Sequence, residues 1–167
     1  MIDILVTEFA FEDLDVYKEL RVEMVRNHPD AFDLSLQSLL DRTDADWEQD
    51  AITCIDDPSR ERYIARENEY PVGIIGCLGK SATTIEIGGL YVRPAYRGMG
   101  VGSLLLNYCV DFMYANGYSE AALWVSSANP RAKAWYNASG FEPTEPPTLK
   151  KWWDGSEITE EYLVCNQ

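Results

Sequence analysis

The chain has 167 residues, 46% of them hydrophobic, which suits a single domain (1–167) with a substantial core. Its 28 acidic against 14 basic residues leave a net charge of −14, which argues against a nucleic-acid partner. No apolar run reaches the roughly 18 residues of a membrane span, and the opening Met1-Ile2-Asp3-Ile4 lacks the basic start of a secretory signal, so a cytoplasmic protein is expected.

Cys54, Cys77, Cys109 and Cys165 are far apart and form no Cys-x-x-Cys pair. They read as buried free thiols rather than zinc ligands or a disulfide framework. With His28 the single histidine, a histidine-based metal centre or catalytic triad is not expected, and no metal is assigned.

In chain order, Ile2 to Glu8 reads as a first strand. Glu12 and Asp13 suit the first turn of a helix running to Asn27, which His28-Pro29-Asp30 breaks. Ser35 to Leu40 suggests a short helical turn, and Asp44 to Ile55 a helix with Trp47, Ala51 and Ile55 on one side. Arg62 to Arg66 and Val72 to Leu78 make strands around a turn at Asn68 to Pro71, followed by a strand from Thr84 to Val92.

A helix then starts near Val101, with Leu104, Leu105, Tyr108, Cys109 and Phe112 on one face and Gly117 as its C-terminal cap. Ala121 to Val125 is a continuous apolar run, expected as a buried strand. Asn129-Pro130 starts a last helix that Gly140 ends. Leu149 to Trp153 and Ile158 to Val164 are strand-like around Asp154-Gly155. The expected fold is α/β of the α+β kind, a mixed and mostly antiparallel central sheet flanked by helices.

Gly98, Gly100 and Gly102 sit in the turn between Val92 and the following helix. Such a turn aims several backbone N–H groups into one concavity at a helix N-terminus, where the dipole favours an anion, most naturally a phosphate. Arg97 adds a charge-assisted donor. A Walker loop needs Gly-Lys-Ser or Gly-Lys-Thr, and Gly102-Ser103-Leu104 has no lysine. A dinucleotide fingerprint needs a third glycine where Ser103 or Leu105 stands.

The stretches Ile87–Val110 and Ala121–Phe141 contain no acid and carry Arg93, Arg97, Arg131 and Lys133, a sum of +4. They read either as core elements poor in any charge or as an anion site from which acids are excluded.

Arg97-x-x-Gly100-x-Gly102, preceded by Leu90-Tyr91-Val92-Arg93-Pro94, resembles the coenzyme A pyrophosphate loop of the GNAT family of N-acetyltransferases. Asn129-Pro130-x-Ala132-x-Ala134-Trp135-Tyr136-x-x-x-Gly140-Phe141 is similar to that family's second signature. The resemblance is strongest from Ile75 to Phe141. It implies the GNAT-like acyl-CoA N-acyltransferase fold, acetyl-CoA as co-substrate, and a small-molecule or peptide amine as acceptor, in a monomer or homodimer.

The resemblance also implies roles for residues. The loop Arg97, Gly98, Met99, Gly100, Val101, Gly102 and Ser103 would hold the pyrophosphate. The strand at Gly88-Gly89 would bulge and part from its neighbour, so that the pantetheine arm pairs with the backbone of Leu90, Tyr91 and Val92. Asn129 would hydrogen-bond the arm, cap its helix, or do both. Tyr136 would protonate the departing thiolate; otherwise it is a plain core aromatic. Glu86, of the same strand parity as Gly88, Leu90 and Val92, would take the amine's proton directly or through water; otherwise it is a strand-end glutamate on the surface, and a bulge at Gly88-Gly89 would change the face it occupies. A non-catalytic acyl-CoA-binding or sensing module is the alternative function.

Two further features bear on the acceptor. Asp41, Asp44, Asp46, Glu48, Asp50, Asp56 and Asp57 read as a field that draws a cationic amine or as a solvated helix face. Trp152, Trp153 and Tyr162 would wall the acceptor pocket or a dimer contact.

Overall fold

The computed structural model describes residues 3–166. In chain order the elements are β1 (Ile4–Glu8), α1 (Leu14–Asn27), α2 (Leu36–Leu40), α3 (Asp44–Asp56), β2 (Arg60–Glu67), β3 (Tyr70–Gly79) and β4 (Thr84–Val92), then α4 (Val101–Ala115), β5 (Glu120–Ser126), α5 (Pro130–Ala138), β6 (Glu142–Pro143), β7 (Thr148–Lys151) and β8 (Glu157–Asn166). One sheet runs β1-β2-β3-β4-β5-β8-β6, with β7 also on β8. Every pairing is antiparallel except β4 with β5. A parallel pair needs a crossover, and α4 supplies it.

Side-chain alternation splits the core in two. Ile75, Cys77, Ile85, Ile87, Leu123 and Leu163 face α4 and α5, against Leu105, Cys109 and Met113. Ile64, Ile74 and Tyr91 face the other way, against Leu20 and Met24 of α1 and Trp47 and Ala51 of α3. The sheet is thus a middle layer between two helical ones, as a sheet with two apolar faces requires.

The strands β2, β3 and β8 run a few residues past the expected ends, and at the start of α1 a side-chain cap moves the boundary. The expected helix start at Glu12 is a 3-10 turn, Phe11–Asp13, ahead of α1; the Asp13 carboxylate accepts the Ala10 N–H at 3.0 Å and also holds Arg66. At α3 the expected start is kept, because Thr43 and Asp46 form a reciprocal capping box. Of the expected first strand, Ile2 lies outside the described residues.

Candidate functional site

The site begins as a gap in the sheet. β4 and β5 pair only through Thr84–Glu86 and Glu120–Ala122. Beyond that, β4 continues to Val92 and β5 to Ser126 without each other. The strands part because β4 carries a bulge: Gly88 stands opposite Gly76 and Tyr91 opposite Ile74, one residue more on β4 than on β3. Gly89 takes φ +64°, a conformation glycine adopts without strain.

The extra residue changes the face of Glu86 relative to Leu90 and Val92, as expected of a bulge at Gly88-Gly89. Before the bulge, Ile85 and Ile87 point into the α4 core, so Glu86 and Gly88 face α1. After it, Tyr91 faces α1, while Leu90 and Val92 pack on the α4 side. Glu86 therefore lies on the sheet face opposite Leu90 and Val92. The gap passes through the sheet, with Leu90 and Val92 towards one face and Glu86 towards the other.

At the open end of β4 lies the glycine turn. Gly98 (φ +76°) and Gly100 (φ +85°) are both in the left-handed region, and a Cβ on either would meet nothing within 4 Å. Gly100 is the N-cap of α4, and the first α4 amide to find a carbonyl is that of Leu104, on Gly100 O at 3.0 Å. Among the described residues, the N–H groups of Gly98 to Ser103 have no hydrogen-bond acceptor. Val101 is buried and offers only its backbone, whereas Met99 and Ser103 are exposed. Gly102 lies under Trp135, whose ring would stand 3.5 Å from an added Cβ. An exposed cradle of unpaired amides at a helix N-terminus suits a phosphate.

Arg97 enters this turn but is already engaged: its Nε donates to Val92 O at 2.9 Å and its Nη2 lies 2.8 Å from His28 Nε2. The acid-exclusion reading weakens in the same way. Arg93 is buried and held by Glu19 and Glu23 of α1, and Lys133 by Glu161 at 2.6 Å. Acids absent from those stretches in sequence reach them through space. Tyr91 joins the Arg93 network, donating to Glu23 at 2.8 Å and accepting from Asn27 at 3.0 Å. This network pins α1 to the end of β4, just before the turn.

The Arg97–His28 contact fixes a proton. Burial first, and then the Arg97 charge, hold the imidazole below its ordinary 6.5, with Asp30 opposing. A depressed folded pKa means a contribution to stability that is complete above 6.5 and lost as pH falls through the folded value. His28 is the single histidine, so an NMR titration reads it alone. A midpoint below 6.5 is expected, with Arg97→Gln moving it upward; a wild-type midpoint at or above 6.5 contradicts the contact.

On the α4 side, α5 brings Asn129 and Tyr136. Asn129 caps α5 through Oδ1, which accepts the Ala132 N–H at 3.1 Å. Its amide nitrogen has no partner among the described residues. Tyr136 is half-buried, edge-on to Trp135 at 5.0 Å and to Phe141 at 6.0 Å. Its hydroxyl has no hydrogen-bond partner among the described residues. Burial, and Cys109 beside it, push the phenol well above its ordinary value, so it stays protonated at neutral pH.

On the α1 side, Glu86 lies at the vertex of the gap, 3.5 Å from Lys80. Trp124 departs from the expected buried strand: it is half-exposed, with Tyr162 at 4.8 Å and the Lys150 ammonium 3.4 Å over its ring. Of the other tail aromatics, Trp152 is buried on Glu160 and Trp153 is exposed.

The acids of the α2–α3 region are mostly engaged locally. Asp44 holds Lys18, Asp46 caps α3, Asp50 accepts the Tyr17 hydroxyl at 2.6 Å, and Asp57 holds Arg60. An open depression of about 580 Å³ between α2 and α3 is lined in part by Arg42, Asp46 and Asp50 and shares no residue with the gap. Among the described residues no cluster of His, Cys, Asp and Glu could hold a metal ion, and no helix is long and apolar enough to cross a membrane.

Residues 14–141 match the model of the acetyltransferase (GNAT) family. An uncharacterised N-acetyltransferase from Methanocaldococcus jannaschii is 30% identical over 96 residues, 54% of this chain and 42% of that protein. The chain spans less than half the length of the curated relatives it matches.

Among solved structures, spermidine N-acetyltransferase from Vibrio cholerae, in complex with CoA and spermine, superimposes with a TM-score of 0.81 at 16% identity, covering 98% of this chain and 95% of that one. PaiA N-acetyltransferase from Thermoplasma acidophilum, in complex with coenzyme A, gives 0.74 at 16% identity and 99% coverage of both chains. At such identities the likeness is one of fold.

Proposed function

The chain belongs to the GNAT family of acetyltransferases, and on that footing we propose that it transfers the acetyl group of acetyl-CoA to a primary amine by direct attack in a ternary complex. The observation that carries this reading is the gap between β4 and β5, opening beside a glycine turn whose amides are unpaired.

Bound acetyl-CoA supplies the activated acyl carbon. The amides of Gly98 to Ser103 take its pyrophosphate oxygens. The backbone of Leu90, Tyr91 and Val92 and the free amide nitrogen of Asn129 hold the pantetheine arm. Arg97 supports the turn through Val92 O and His28, and its Nη1, which carries no partner among the described residues, is left to donate to the phosphate. With the arm held from the α4–α5 face, the amine would approach from the α1 face and add to one face of the planar thioester carbonyl. Alignment of this kind removes much of the entropic cost of a bimolecular step.

The amine nitrogen forms the new C–N bond, and the C–S bond breaks. Tyr136 gives its proton to the departing sulfur, and Glu86, directly or through water, takes the proton from nitrogen. Cys109 carries no acyl group in this scheme: it is fully buried, and its thiol is raised by the Cys77 hydrogen bond and by burial.

The test is calorimetry with acetyl-CoA followed by a mass-spectrometric screen of amines, including the spermine that the Vibrio structure holds. Micromolar binding and acetylation of at least one amine are expected. Binding without transfer to any amine would leave a non-catalytic acyl-CoA-binding module, and absence of binding would remove both.

A further inference from the structure

We propose that the acceptor amine carries an oxyanion, a carboxylate or a phosphate ester, and that Arg21 and Arg62 bind it. This rests on the transfer reading above and names its substrate class.

Acids outnumber bases two to one in this chain, so a half-buried arginine has many carboxylates to choose from. Arg42, Arg60 and Arg66 each hold one, and Arg93 holds two. Arg21 and Arg62 hold none among the described residues. Arg21 Nε, Arg62 Nη1 and Arg42 Nε are buried with no hydrogen-bond partner, but Arg42 has Asp50 and the Asp46 carbonyl on its Nη2, whereas Arg21 and Arg62 have no carboxylate at all among the described residues. A buried N–H left unpaired is costly, and on a cation more so. Neighbouring acids are committed elsewhere: Asp50 to the Tyr17 hydroxyl, Glu61 to the Arg62 backbone N–H.

Both guanidinium groups belong to one place. Their central carbons lie 6.0 Å (Arg21) and 3.8 Å (Arg62) from the ring centroid of Tyr17. Arg21 Nη1 would stand 3.4 Å from a Cβ on Gly89, so its head hangs over the β4 bulge. Below them the sheet is bare. Arg62, Gly76 and Gly88 are register neighbours across β2, β3 and β4. A Cβ on Gly88 would meet nothing within 4 Å, and one on Gly76 only two backbone oxygens. That leaves a hollow on the α1 face, floored by two glycines and edged by two arginines.

Glu86 lies two residues from Gly88 on the same face of β4, about 6.6 Å along the strand. An amine at Glu86 with an oxyanion under the arginines is the size of an amino acid or a phosphorylated amino alcohol. Arginine's fork matches either oxyanion in bidentate fashion. A dication finds two like charges there instead.

The experiment measures thiol release at fixed acetyl-CoA for matched acceptors. Each L-amino acid is paired with its α-amide, O-phosphoethanolamine with ethanolamine, and putrescine serves as the dication. In at least one pair the oxyanion member should exceed its neutral match by tenfold or more in kcat/KM, and the pair that does so separates carboxylate from phosphate. Arg21→Gln and Arg62→Gln should each raise the acceptor KM about ten- to hundredfold, the size of a lost charge-assisted bond. They should abolish the preference while leaving the acetyl-CoA KM and the melting temperature nearly unchanged. Arg21→Lys should retain part of the preference.

Equal rates within every pair, or a preference for putrescine or the amides, overturns the proposal. So does a preference that survives in both glutamine variants. Acetyl-CoA binding is measured separately by calorimetry. Its absence, or transfer to no amine, removes the transfer reading and this proposal together, whereas binding and transfer without oxyanion preference removes this one alone.

Discussion

Gly100→Val is expected to abolish binding of coenzyme A and acetyl-CoA. Two effects act at that residue. At φ +85° a β-branched side chain is strained, and its methyl groups enter the open space where the phosphate oxygens must sit. Strain alone destabilises without selecting against a ligand, so a control is needed. Gly117 offers one: φ is +78°, nothing lies within 4 Å of an added Cβ, and it sits beyond the other end of α4. Gly117→Val should lose a similar amount of stability, about 1–3 kcal/mol for an unfavourable backbone region, yet bind coenzyme A like the wild type in calorimetry. Tight binding by folded Gly100→Val removes the turn from the cofactor site.

Tyr136→Phe is the second large effect, and it should fall on turnover. The phenol is protonated through the neutral range, because burial and Cys109 hold its pKa high. Its ring is wedged between Trp135 and Phe141, and phenylalanine keeps both contacts. Since the hydroxyl has no partner among the described residues, removing it strands no other polar group. Affinity for acetyl-CoA should stay within a few-fold while kcat falls about ten- to thousandfold, the range of a lost general acid. With a thioester whose leaving thiol is more acidic, the deficit should shrink, because such a thiolate needs no proton to depart. Unchanged turnover returns Tyr136 to the core.

The glycine turn and its flanks were legible because their requirements are local. Thr84–Val92 and the α4 start near Val101 coincide with expectation, since glycine spacing and apolar periodicity act within a few residues. What the chain settles across distance was not. Gly88-Gly89 announced a bulge and the change of face it would bring to Glu86, but not how far β4 and β5 stay paired before it, Thr84–Glu86 with Glu120–Ala122. β6 is two residues, Glu142–Pro143, paired on β8, and carries no periodicity to read. The acid-free stretches looked like an unpaired cationic field until α1 delivered Glu19 and Glu23 to Arg93. Arg21 and Arg62 raised no signal at all, because one lies in an ordinary amphipathic helix and the other in an ordinary strand. Their lack of partners exists only once Tyr17 and the bulge are folded beneath them.

The four cysteines are all buried and unbridged, with the Cys54 thiol also raised by its desolvation. Aromatic disulfide dyes react with exposed thiolates, so the native protein should be silent towards them. Colour developed during turnover then counts released coenzyme A one for one, and a slow extra rise signals the chain opening rather than the reaction advancing.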